Sequence, residues 1–177
     1  MPAQRRSIEL VRLGLADEPL VDAMFDQLTT YSTAVDGVPK MKDGARHFLT
    51  ALPPGCDRTQ KHDFVVMEDG SPVGLVDVID GYPKEGTMYI GLLAIVECRQ
   101  RTGLGREVVR LLETYARDRL SASAIRLGVV ASNLVIGFWE KMGFRLTGES
   151  RPYQGEAMTS TVSLMEKALA EPEEATP

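Results

Sequence analysis

The sequence predicts an α/β (α+β) fold, a mixed sheet with helices packed on its faces. Three observations predict it. The chain has 177 residues, 44% of them apolar and 25% charged, which is enough apolar matter for one soluble domain with a core. Its apolar residues switch between strand-like and helix-like spacing in the order strand, one or two helices, three strands, helix, strand, helix, two strands. One run, TMYIGLLAIV (87–96), is nearly all apolar, as a central strand covered on both faces requires.

IELVRL (8–13) reads as the opening strand. Asp17 is placed to cap a helix whose first turn accepts Pro19, with Leu20, Met24, Phe25 and Leu28 on one face. The turn-rich DGVPKMKDG (36–44) breaks the helical region. A short helix, ARHFLTAL, follows and ends at Pro53-Pro54. Residues 63–80 read as a hairpin about Asp69-Gly70, a dipeptide that tolerates the positive φ of a tight turn. Gly91, inside the central run, marks a bulge or a close backbone approach.

Behind RTGLG, a helix buries Val108, Val109, Leu112, Tyr115 and Ala116 and turns Arg110, Glu113, Arg117 and Asp118 outward. AIRLGVVAS (124–132) is a strand, and NLVIGFWEKM (133–142) a short helix stopped by Gly143. FRLTGES (144–150) and TSTVSLMEK (159–167) form an antiparallel pair, with RPYQGE in the loop that follows the first of them. A single domain is expected over 1–169, and the acidic AEPEEATP (170–177) is expected to be disordered.

Composition narrows the function. A net charge of −5 argues against a nucleic-acid binder and is compatible with a cationic substrate. No apolar run reaches the ~18 residues of a membrane span, and the basic N-terminus lacks the apolar core of a secretory signal. Two scattered cysteines, Cys56 and Cys98, fit a reducing compartment, so a cytoplasmic location is expected. His47 and His62 have no metal-ligand spacing, and no metal is expected.

Gly103 and Gly105 stand directly before the long amphipathic helix. Glycines there let successive backbone N–H groups converge on one point, where the first helical N–H groups are unpaired and the helix dipole is positive. Together these suit a phosphate. The dinucleotide fingerprint fails because Val108 stands where its third glycine belongs, and the nucleoside-triphosphate loop fails because Arg106-Glu107 follow Gly105. A tight turn that binds nothing is the plain alternative.

LAIVECRQRTGLGREVVRLL resembles the signature segment of the GNAT acetyltransferase superfamily, with Gln100, Arg101, Thr102, Gly103, Leu104 and Gly105 in the six matching positions and Ile95 in the family's Val position. VVASNLVIGFWEKMGF (129–144) resembles its second segment, and the order of elements matches from Ile8 to about Leu169. The resemblance implies a mostly antiparallel sheet of about seven strands flanked by about four helices. It also implies transfer of an acetyl group from acetyl-CoA to a primary amine by direct attack in a ternary complex. The acceptor would be a small molecule or a peptide, and a homodimer would be in keeping with the family.

By the same resemblance, N–H groups from Arg101 to Arg106 hold the CoA pyrophosphate, and Leu93, Ala94 and Ile95 offer backbone groups to the pantetheine arm. The sheet is expected to splay between the strand ending near Val96 and the strand at 125–131. Asn133 matches a pantetheine-binding Asn, and Phe138 and Trp139 are expected at the thiol end or, alternatively, in the core. Tyr31, heading YSTAVDGVPKM, and Asp77 are the acceptor-side candidates.

Departures from the pattern matter for the chemistry. The usual tyrosine that protonates the thiolate is replaced by Trp139, whose indole N–H is not a useful acid. The positions of the usual basic Glu hold Tyr89 and Gly128. Tyr153 is the first replacement proton donor and Tyr89 the second, while water alone is another acceptor for the amine proton. A catalytically silent acyl-CoA-binding domain is therefore the alternative reading, and a plain α/β interaction domain a third.

Overall fold

In the computed structural model, which describes residues 6–170, seven strands form one sheet in the order β1-β2-β3-β4-β5-β7-β6. The strands are β1 (Ile8–Arg12), β2 (Lys61–Glu68), β3 (Ser71–Asp80), β4 (Thr87–Ile95), β5 (Ala124–Val130), β6 (Arg145–Gln154) and β7 (Thr159–Ala168). Only β4 and β5 run parallel, so the sheet is mixed and mostly antiparallel as expected. Five helices flank it: α1 (Glu18–Phe25), α2 (Thr29–Asp36), α3 (Gly44–Thr50), α4 (Leu104–Leu120) and α5 (Ile136–Lys141). The predicted tail lies, beyond Ala170, outside the described residues, as does the start of the N-terminal segment.

The β2–β3 hairpin turns at Asp69 (φ 49°) and Gly70 (φ 81°), as the dipeptide dictates. Helix α3, carrying Phe48, covers the sheet face that bears Lys61 and Asp63 of β2. Tyr115 of α4 packs edge-on against Phe64 and His62, which alternation places on the opposite face. Helix α4 buries Leu104, Val108, Val109, Leu112 and Ala116, each side chain worth roughly 1.5–3 kcal/mol for the larger apolar ones.

Three expectations need correction. The predicted first helical face includes Leu20, yet Leu20 is 36% exposed and Val21 is fully buried. The buried set Val21, Met24, Phe25 and Leu28 follows the i, i+3, i+4, i+7 rule, and the chain breaks after Phe25 to restart as α2. The short helix predicted over 133–142 begins only at Ile136, because Asn133 N–H bonds back to the Val130 carbonyl and Val135 N–H to that of Asn133, making a turn. Finally, Tyr153 belongs to strand β6, which continues to Gln154 rather than ending at 150.

Candidate active site

The parallel ladder between β4 and β5 runs from Thr87–Ala124 to Ile90–Leu127 and stops there. Strand β4 remains paired with β3 as far as Ile95, and β5 with β7 as far as Val130. The sheet therefore opens into a V whose apex lies at Ile90 and Leu127. Along one arm, Gly91 is exposed, Leu92 and Leu93 are half-buried, and Ala94 and Ile95 are buried, with no strand on their outer edge. Val96 N–H donates to the Val73 carbonyl of β3, so alternation turns Ala94 toward β3 as well and leaves the main-chain groups of Leu93 and the N–H of Ile95 on the open edge, where they can pair with an extended ligand as a missing strand would. The Ile95 carbonyl already accepts from Gln100 Nε2 at 2.9 Å, which folds the following loop back on the strand end.

That loop leads into α4. Arg101 (φ 59°) and Gly103 (φ 85°) both take the left-handed conformation, and Gly103 occupies the N-cap position of α4 with no side-chain cap. Among the described residues, the backbone N–H groups from Arg101 to Arg106 donate to no chain acceptor, and the first helical bond is Glu107 N–H to Gly103. Six free donors at a positive helix end can receive an anion, and Gly103 leaves open space above them. Arg6 braces the loop from behind, donating to the Thr102 carbonyl and pairing with the buried Glu68 at 2.7 Å. Arg99 pairs with the same carboxylate at 2.5 Å. These contacts fix the shape of the loop that presents the free N–H groups.

Other predicted residues lie at the edges of the opening. Asn133 is half-buried in the turn after β5. Phe138 packs on the first turn of α4, and Trp139, 6% exposed, stacks edge-on with Phe138 and Phe144 in the core. The hydroxyl of Tyr89 lies 3.0 Å from where a Cβ on Gly128 would stand, so the two positions where a basic Glu was sought face each other and the tyrosine fills the space.

On the face carrying α2 and α3, Tyr31 and Tyr153 are near neighbours. Both phenols are pushed above the ordinary value by burial first, Tyr153 to about 12, with Asp36 adding to the rise at each. Asp36 is itself raised, by burial and then by Glu156. The loop after β6 seats on the end of α2, where Gly155 comes so close that a Cβ would stand 2.7 Å from the Val35 carbonyl. Beside it lies an open cleft of about 600 Å³ lined by Asp36, Lys42, Asp43, Arg46, His47, Tyr153 and Glu156. Asp77 lies near enough to Tyr31 to add to the rise of its phenol and is ion-paired with Lys61 at 2.7 Å. The structure thus gathers Tyr31, Asp77 and Tyr153 on one side of the V, with Tyr89 at its apex.

Sequence reasoning missed Asp36, Glu156, Lys61 and Asp63 here, and also Glu97. The Glu97 carboxylate, in the turn after β4, accepts from Thr30 N–H at 3.0 Å and from the Thr29 hydroxyl at 3.0 Å, capping α2 from across the chain. No local signal announces such a cap. Among the described residues, no helix is long and apolar enough to cross a membrane.

Residues 22–144 match the model of the Acetyltransferase (GNAT) family. No curated protein matches the chain significantly. Among solved structures, an acetyltransferase from Thermus thermophilus is similar with a TM-score of 0.73 and 22% identity, over 92% of this chain and 97% of that one. The ribosomal-protein-S18-alanine N-acetyltransferase from Escherichia coli is similar with a TM-score of 0.68 and 16% identity, over 98% and 99% of the two chains. A spermidine N-acetyltransferase from Vibrio cholerae in complex with CoA and spermine gives a TM-score of 0.68 and 17% identity, over 92% and 95%. At these identities the likeness is one of fold.

Proposed function

Because the chain belongs to the GNAT acetyltransferase family, we propose that it moves an acetyl group from acetyl-CoA to a primary amine by direct attack with both substrates bound. The observation that carries this reading is the row of unpaired N–H groups from Arg101 to Arg106 at the start of α4, beside the opening between β4 and β5. They hold the pyrophosphate, with the Arg101 and Arg106 side chains nearby. Leu93, Ala94 and Ile95 flank the pantetheine arm, and Asn133 and Phe138 close over it from the other side. Bound acetyl-CoA supplies an activated acyl carbon near the apex of the V.

The acceptor enters from the face of α2 and α3, between Tyr31, Asp77 and the cleft at Asp36 and Glu156. Asp77, Asp36 and Glu156 along this path favour a cationic amine, small or peptidic, with Lys42 and Arg46 sharing the cleft. Tyr153 stays protonated at neutral pH, since burial and Asp36 both raise it, and it donates to the departing sulfur. Tyr89 is the second donor in line and a wall of the apex. Two free thiols, Cys56 and Cys98, suit action in a reducing cytoplasm.

Calorimetry with CoA and a turnover screen of acetyl-CoA against primary amines test the reading. We expect saturable CoA binding and CoA release with at least one amine. Absence of heat at millimolar CoA refutes it. Binding with no turnover on any amine favours the silent-domain alternative, which the buried Trp139 at the usual acid position supports.

A further inference from the structure

The family pattern places its basic carboxylate where this chain has Tyr89 and Gly128, yet a carboxylate does reach the same region from the neighbouring strand. Asp77 of β3 pairs with Leu92 of β4, while the next pair is Val78 with Ile90. Gly91 is therefore the extra residue of a β-bulge, at the level where β4 and β5 part. Asp77 Oδ2 lies over it, inside the contact distance of the point a Cβ would occupy. Any side chain at 91 would displace this oxygen, so the glycine opens a path from the carboxylate to the mouth of the V.

The other oxygen is anchored. Asp77 Oδ1 accepts from Lys61 Nζ at 2.7 Å, and Nζ stands 3.0 Å from Asp63 Oδ1, which sits directly across the β2–β3 ladder from Asp77. Lys61 is 0% exposed at its side chain, Asp63 2% and Asp77 16%. Two carboxylates thus share one buried ammonium, and Asp63 Oδ1 has no hydrogen bond despite its burial. One ammonium balances one carboxylate, so the cluster is left with a charge that a proton would neutralise, and that proton would bring a second donor. Asp77, the most exposed member, is where a proton can arrive.

We propose that Asp77 is the proton acceptor for the attacking amine, with Lys61 and Asp63 as positioning residues that hold its carboxylate over Gly91. This rests on the transferase reading of the V. The acceptor ammonium loses a proton to Asp77 Oδ2. The freed nitrogen lone pair bonds to the acyl carbon, and the carbon–sulfur bond breaks with its electron pair going to sulfur. Tyr153 gives its phenolic proton to sulfur and recovers one from the second nitrogen proton, so an amide and a free thiol result, and Asp77 returns its proton to solvent. The charged and titratable groups facing Asp77 are Lys61 and Asp63 from β2, Tyr31 from α2 and Tyr89 from β4. Burial, with Asp63 adding to it, raises the Asp77 carboxyl to about 7 against the opposing pull of Lys61, a value suited to a base at neutral pH.

Two measurements on the full chain test this. Carboxyl ¹³C NMR with labelled aspartate needs no acceptor. One resonance, missing in Asp77→Asn, should titrate near pH 7 and move lower in Asp63→Asn, where a facing like charge is gone. With the best amine of a panel of putrescine, tyramine and lysine methyl ester, kcat/KM for the amine should rise with pH through the same midpoint. Asp77→Asn should lose about a hundredfold in kcat while KM for acetyl-CoA changes little, whereas an anchor alone would raise KM for the amine. The proposal is overturned if no aspartate titrates above about pH 5, or if Asp77→Asn keeps kcat within about threefold. Failure of the wild-type chain to bind CoA in calorimetry overturns the transferase reading itself. CoA binding with an ordinary Asp77 titration overturns this proposal alone.

Discussion

Gly105 and Phe138 are in contact across two helices: a Cβ on Gly105 would stand 3.3 Å from Phe138 Cζ. The second residue of α4 is therefore held between an aromatic ring and the free N–H groups of the loop. Substitution there reports on the anion site directly. Gly105→Glu adds bulk and a negative charge at the positive end of the helix. We expect CoA affinity measured by calorimetry to fall about a hundredfold, or about 2.7 kcal/mol. Circular dichroism should change little, because the added carboxylate can turn to solvent. Affinity within about twofold of wild type would contradict the assignment of the loop.

Gly91→Ala tests the close approach at the bulge. The new methyl would collide with Asp77 Oδ2, and that oxygen belongs to a carboxylate already fixed by Lys61. Overpacking of this kind costs about 1–3 kcal/mol. A lowered urea midpoint with unchanged m-value is expected, together with reduced turnover. CoA affinity should be retained, since residues 101–106 are not disturbed.

Stability should depend on pH through Asp77. Its carboxyl is raised from 3.8 to about 7 in the folded protein, so the native state holds a proton that the unfolded chain gives up. Stability from this group is complete below about pH 4 and is lost as pH rises to about 7. Asp36, also raised, acts in the same direction. Urea unfolding at intervals across that window should show a declining free energy, and Asp77→Asn should flatten the decline.

Tyr153→Phe and Tyr89→Phe separate proton donor from wall. Tyr153 lies beside Asp36 and keeps its proton to about 12, so its phenyl variant should lose about tenfold or more in kcat at saturating substrates. Tyr89 stacks edge-on with Tyr82 at 5.3 Å and fills the space at Gly128. Its variant retains that packing, and kcat within about threefold of wild type is expected. The reverse order would reassign the donor.

The local parts of this molecule are readable from its residues. Alternation, the Asp69-Gly70 turn and the i, i+3, i+4, i+7 rule give the seven strands and the long helix, and Gly103 and Gly105 give the turn that leaves N–H groups free before α4. What escapes the sequence is register. Counting back from the turn without interruption sets Asp77 opposite His62. A one-residue slip between Val66 and Met67 sets it opposite Asp63 instead. That slip puts both carboxylates and Lys61 on one face, and no composition or spacing in the strand reveals it. The Gly91 bulge was foreshadowed by the glycine itself, but its partner across the ladder was not. Long-range meetings such as Glu97 with α2, or Gly155 with the Val35 carbonyl, depend on the assembled fold and leave no trace in the local pattern.

A row of unsatisfied peptide groups is ordinarily a hazard, since a second chain can zip onto it and begin aggregation. Here the bare rim of β4 is enclosed by the other half of its own sheet, which bends away rather than ending. A second chain could reach that rim only by entering the opening between β4 and β5. The interruption of the ladder at Ile90 and Leu127 thus leaves an unpaired strand edge inside the molecule instead of at its outer border.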